Sequence, residues 1–243
     1  MLMNVRPLPL SLAALLLLFV LAACSVPPLR DPNLLQDTSL LDDEPCAAPC
    51  WRGITPGESA WSDALTILED DASLESVDRQ SDEDSAAEYA VWQGRGGTAQ
   101  CCQMISLDGE TVDVVFIRLA PDITVSDVID AKGEPTYAVS TEYSGDQSIV
   151  NLIYPDSSLI LYAFVAGPEA ALLDSSEIIA AVYVSQDDME LLLLTSDLHE
   201  WDGYQPFSEY GLEAPLEVTP SITLTPAGTP AESTPETTPE TGS

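Results

Sequence analysis

The chain has 243 residues, and 41 acidic side chains face only 7 lysines and arginines, for a formal net charge of −34. So acidic a chain is repelled by nucleic acid phosphates and by anionic headgroups, which excludes nucleic acid as a partner. His199 is the only histidine and Lys132 the only lysine.

The first element is an apolar stretch from Leu8 to Ala23, preceded by Arg6 and interrupted by Pro9 and Ser11. A membrane-spanning helix needs ~20 apolar residues. One cation, a shorter apolar core and small residues before a cut site instead make a secretory signal over residues 1–23. Leu21-Ala22-Ala23-Cys24 resembles the lipobox of bacterial lipoproteins. That resemblance implies cleavage before Cys24 and at least two acyl chains on it, enough for a stable anchor. The expected location is the extracytoplasmic face of a cell membrane, at the cell surface or in the periplasm. Loss of Arg6 with the signal takes the charge from −34 to −35.

Residues 24–45 are rich in proline and acid without periodicity, and read as a disordered tether. Four further cysteines follow: Cys46, Cys50, Cys101 and Cys102. An even number in an oxidising compartment predicts disulfides, with three pairings open. Cys46 or Cys50 is expected in at least one bridge, either with each other or with Cys101. A Cys101–Cys102 bridge is awkward, because neighbours on a strand point to opposite faces.

The folded region is expected over 46–212, as an α+β structure. Trp61, Ala64, Leu65 and Leu68 have helical spacing. Thr55-Pro56-Gly57-Glu58 fits a capping box, with Ser59 as a rival cap. Strand signals follow at 86–93, 98–106 and 111–119. Asp108-Gly109 marks a two-residue hairpin. That register places Ala99, Cys101, Ile105, Val112, Val114 and Phe116 on the core face, and turns Cys102 away.

A second helix is predicted from Val125, Val128 and Ile129, capped by Thr124 and ended by Gly133. Four strands follow at 136–143, 148–154, 158–165 and 177–184. The runs 159–165 and 178–184 lack alternation, which predicts central strands covered on both faces. "WSDALTILED" aligns with "VSDVIDAKGE". The alignment predicts two related units, 46–120 and 121–212, each a short helix packed on an antiparallel sheet.

"I-x-P-G-x-[ST]" and "D-I-T-x-x-D-V-I-x-x-x-G-x-P" resemble the opening of BamE/SmpA-type lipoprotein domains. Tandem copies of a related unit form the β-lactamase-inhibitor-protein fold. "PCWRGITPGESAW" is similar to the start of uncharacterised lipoproteins with a C-x-x-x-C-[WF]-x-G-I-x-P-G pattern. The first unit departs from the family at Leu68-Glu69-Asp70-Asp71, where Leu-Gly-x-Pro is usual. These families bring no catalytic residue with them.

Beyond Gln186, Asp187 or Asp188 can cap a helix through Met189, Leu192 and Leu193, with a strand as the other reading. The segment after it is expected to wrap the domain through Trp201, Tyr204 and Phe207. Asp197, His199, Glu200 and Asp202 cluster as metal-ligand candidates, in a spacing that matches no established zinc or calcium loop. No metal or other cofactor is therefore expected. Residues 213–243, rich in Thr-Pro, are expected to be a disordered tail.

The chain lacks nucleophile-elbow, P-loop and dinucleotide fingerprints. The preferred reading is a non-catalytic binding or assembly module. It would use an exposed sheet face or a groove between the units, and meet a protein partner in the cell envelope. The alternative is a small-ligand or cation-binding surface lipoprotein, and the third reading is a hydrolase.

Overall fold

The structure is a computed structural model and describes residues 28–81, 85–97 and 100–211. The signal segment, Cys24 and the tail from 213 lie outside the described residues. Residues 28–45 correct the expected tether. Leu29, Leu34, Leu35 and Leu40 are buried. Leu35 donates to Arg118 O (3.3 Å) and accepts from Ala120 N (3.0 Å), a parallel bridge beside Leu119. A single helical turn, α1 (Ser39–Asp42), buries Leu40. Irregularly spaced leucines carry this packing, so no periodicity announces it in the sequence.

The strap continues through a two-residue turn. Trp51 and Ile54 exchange backbone hydrogen bonds of 2.8 and 2.9 Å around Arg52 (φ 53°) and Gly53 (φ 88°). Positive φ at both central residues is the geometry that matches strand twist. It turns Trp51 and Ile54 inward, where both are fully buried. Trp51 stacks on Trp92 with centroids 5.7 Å apart. Arg52 lies over the Trp51 ring, 5.0 Å from its centroid, and reaches Asp37 and Asp71.

Helix α2 (Trp61–Asp70) buries Trp61, Ala64, Leu65 and Leu68, as the spacing predicts. Its cap differs from both expected residues, since Ala60 is the N-cap and supplies no side chain. Thr55 and Ser59 instead close a tight turn, with Ser59 N on Thr55 O at 2.9 Å and Thr55 N on Ser59 Oγ at 2.8 Å. Glu110 O accepts from Trp61 N at 2.8 Å, so a neighbouring loop meets one of the free helix donors. Strands β1 (Leu74–Ser81), β2 (Glu88–Gly94), β3 (Cys102–Ser106) and β4 (Val114–Arg118) follow as an antiparallel meander.

Helix α3 (Val125–Lys132) bears the expected cap, with Thr124 and Asp127 forming a reciprocal capping box. Val125 and Val128 are buried, and Ile129 packs against the core from its margin. It leads a second meander of β5 (Tyr137–Ser144), β6 (Gln147–Tyr154), β7 (Leu159–Val165) and β8 (Ile178–Val184). Helix α4 (Gln186–Thr195) is capped by Ser185, whose Oγ accepts from Asp188 N, rather than by Asp187 or Asp188. A two-residue strand, β9 (His199–Glu200), pairs with β5.

The nine strands form one sheet in the order β1-β2-β3-β4-β8-β7-β6-β5-β9. The α+β class is as expected. Position 120/121 does not divide two cores, because one hydrophobic cluster runs from Leu34 through Trp92, Ile117 and Leu161 to Tyr210. Strands β7 and β8 are central, but only β8 is buried on both faces. On β7, buried residues alternate with half-buried ones.

The Asp108-Gly109 turn is wider than a two-residue hairpin. Asp108 accepts from Glu110 N (2.8 Å) and Thr111 N (2.9 Å), and Val112 is diverted to bond Ser59 O (3.0 Å). The wider turn changes the register. Met104, Val112, Val115 and Ile117 lie in the core, while Ile105, Val114 and Phe116 lie half-buried on the opposite face. Ile105, Val114 and Phe116 share one face as expected, since a shift of two residues keeps the facing, but that face lies opposite the core and Val112 leaves it; its assignment to the core is overturned.

Candidate functional site

The register defines that opposite face. One row across the sheet runs Asp78, Val91, Gln103, Phe116, Val182, Ile160, Ile153, Tyr137, Glu200. The next runs Arg118, Ala180, Tyr162, Asn151, Val139. From β2 to β5, seven adjacent strands place no carboxylate on this face, in a chain with 41 acids. Asp78 and Glu200 stand only on the two outermost strands. Val91, Ile105, Phe116, Tyr162 and Val182 are all half-buried. Phe116 and Tyr162 meet ring to ring at 6.1 Å. Burial pushes the Tyr162 hydroxyl above its ordinary pKa, so it stays neutral.

Each end of the face has a cover. At one end Leu29 packs with Ile149 and Ile179, flanked by Tyr162 and Phe164. Arg30 lies over the Phe164 ring at 5.4 Å and pairs with Glu177. At the other end α4 sets Met189, Leu192 and Leu193 against Ile153 and Val184. Between α4 and the sheet is a groove of about 310 Å³, floored by Val139, Asn151, Ile160 and Tyr162 and walled by Leu192 and Leu198. The far side of α4 exposes Leu191 (57%) and Leu194 (84%). Aliphatic, aromatic and amide groups dominate this surface, with Asp197 at the rim of the groove.

The cysteines form two bridges, Cys46–Cys50 and Cys101–Cys102. The bridge within the strap is one of the expected pairings, and a link from it to Cys101 is overturned. The vicinal bridge overturns the argument from alternation. Cys101 precedes β3, so the alternation does not reach it, and both side chains are buried. Its backbone still accepts from Arg118 N at 2.9 Å and donates to Trp92 O at 3.1 Å.

The candidate ligands at 197–202 do not converge. His199 Nε2 and Asp202 Oδ1 are 3.4 Å apart, whereas Asp197 lines the groove beside α4. Among the described residues no group of three or more His, Cys, Asp or Glu is placed to hold a metal. The wrapping segment is anchored by Phe207, with Trp201 at the core margin. Tyr204 is exposed, and Tyr210, stacked on Trp201, takes the buried place.

Sequence reading missed a second feature, a polar cavity of about 390 Å³ around Arg52. Burial opposes the charge of Arg52, but hydrogen bonds and charge from Asp37 and Asp71 outweigh it and raise its pKa. Its guanidinium is thereby committed to binding the strap to the end of α2.

No protein-family model, curated protein or solved structure matches the chain.

Proposed function

We propose that the protein is a lipid-anchored, extracytoplasmic binding module, held by Cys24, that docks through the acid-free face of its sheet. The observation that carries this reading is the contrast in charge. A chain of net charge −34 keeps carboxylates off one face of seven adjacent strands and sets half-buried aromatic and aliphatic residues there. A solvated face has no need of that composition, and an apolar patch of this kind marks an interaction site. The role in this reading is non-catalytic, since aliphatic, aromatic and amide groups dominate the face and Asp197 is the one carboxylate at the groove.

The two meanders derive from duplication of one helix-and-meander unit in this reading. Each helix leads four strands in the same order, and the two meanders join through their last strands, β4 and β8. The lipobox at Cys24 and the two disulfides support an oxidising, extracytoplasmic setting.

Hydroxyl-radical footprinting tests the docking face without naming its partner. Phe116 and Tyr162 should react more slowly in protein on native membranes than in the isolated chain. Equal reactivity in both samples would sink the reading.

A further inference from the structure

We infer that the surface covering the acid-free face is the bilayer to which the chain is anchored, so that the domain lies with β2–β8 toward the lipid. The inference rests on the anchoring at Cys24 proposed above and goes beyond it by fixing the orientation and the partner.

The point of entry carries the argument. The described chain begins on this face. Pro28 O accepts from Arg118 Nη2 at 3.5 Å, and Leu29 is buried against Ile149 and Ile179. Cys24 is four residues before Pro28, a reach of at most about 14 Å at full extension. A body of about 184 residues is roughly 40 Å across, from its expected radius of gyration of about 16 Å. So short a tether, stapled to one face, brings that face to the headgroups and keeps the α2 and α3 layer away from them.

Charge points the same way. Repulsion between a strongly acidic chain and an anionic leaflet acts over a Debye length of about 8 Å. On the side next to the anchor the strands from β2 to β5 present no carboxylate; the acids on that side are Glu177, paired with Arg30, and Asp187, Asp188, Glu190 and Asp197 on and after α4. Its charged groups near the entry are Arg118, and Arg30 paired with Glu177. Phe116 and Tyr162 sit beside them, and aromatic rings favour the headgroup level. Two further leucines, Leu191 and Leu194, stand exposed on α4, which lies on the same side of the sheet.

The test uses the full chain, expressed with its leader, purified from membranes and reconstituted into phosphatidylcholine vesicles brominated near the headgroup end of the acyl chains. Of the four native tryptophans, Trp51, Trp61 and Trp92 are buried and Trp201 is half-buried, and the wild-type chain in the same vesicles supplies the background to subtract. The variant Phe116→Trp should be quenched several times more strongly than Thr66→Trp, which places the reporter on α2. If Phe116→Trp does not fold, Tyr162→Trp replaces it with the same expectation. The mass of the N-terminal peptide is read in the same sample. Lipid on Cys24 with equal quenching at both positions overturns the inference and leaves the anchored module intact. Protection of Phe116 in native membranes without quenching here means that a protein covers the face, and also overturns it. An unmodified Cys24 overturns both.

Discussion

Leu35→Ala tests whether the strap belongs to the fold. Leu35 is 3% exposed and lies against Gly94, where an added Cβ would stand 3.3 Å from its Cδ1. Its backbone bonds to Arg118 and Ala120 survive in alanine, so only the side chain is lost. Leucine-to-alanine changes at buried sites cost about 2–5 kcal/mol, and a strap at the edge of the core can partly collapse onto the gap. The expected loss is therefore about 2–3 kcal/mol, read by urea unfolding with both disulfides intact and an unchanged m-value. Leu107→Ala, at a residue 64% exposed, is the control and should stay within about 0.5 kcal/mol of wild type. A loss below about 0.5 kcal/mol in Leu35→Ala would refute the reasoning and return residues 28–45 to the status of a tether.

Thr124→Ala removes the capping box of α3 and should cost about 1 kcal/mol by thermal or urea unfolding, whereas Thr124→Ser should recover most of it. Asp71 gives a pH signature. Burial pushes its carboxyl up, but Ser73 and Arg52 outweigh that and hold it below the ordinary value of 3.8. A lowered folded pKa stabilises fully above the unfolded value and loses that contribution as pH falls through the folded one. Asp71→Asn should thus be less stable than wild type at pH 6, with the gap closing below about pH 4; a gap independent of pH would contradict the pairing. In protein from its native compartment, unfolded without reductant, Cys46, Cys50, Cys101 and Cys102 should all be unreactive to a thiol reagent. Peptide mapping should then return the pairs 46–50 and 101–102.

The parts legible in sequence are those in which local chemistry and tertiary packing agree. Thr124, Asp127 and Gly133 frame α3 wherever the helix docks, and the spacing from Trp61 to Leu68 fixes the buried stripe of α2. The start of α2 was not legible, because its acceptor at Glu110 comes from a loop 49 residues away in the chain. Strand β1 gave no signal either. Its pairing with β2 is interrupted between Glu75 and Asp78, with Ser76 at φ 58°, and beyond the break its residues are polar. Such a charged, irregular edge also resists pairing with other chains.

The docking face was the least legible part. Its strands read as apolar runs, and only the register across seven of them reveals that one side carries no acid. The expected hairpin places Ile105, Val114 and Phe116 together, as the structure does, but its choice of that face as the core is overturned, because Met104, Val115 and Ile117 on the other face take the core. The vicinal cysteines failed for a related reason, since alternation is a rule of regular strands and Cys101 lies just outside one.

The compartment, the oxidised cysteines and the orientation of the sheet all depend on Cys24. Mass spectrometry of the N-terminal peptide of protein extracted from its native membrane tests it most directly. The account predicts a peptide that begins at Cys24 and carries a diacylglyceryl thioether. A peptide that runs unmodified through Leu21-Ala22-Ala23-Cys24 would contradict it.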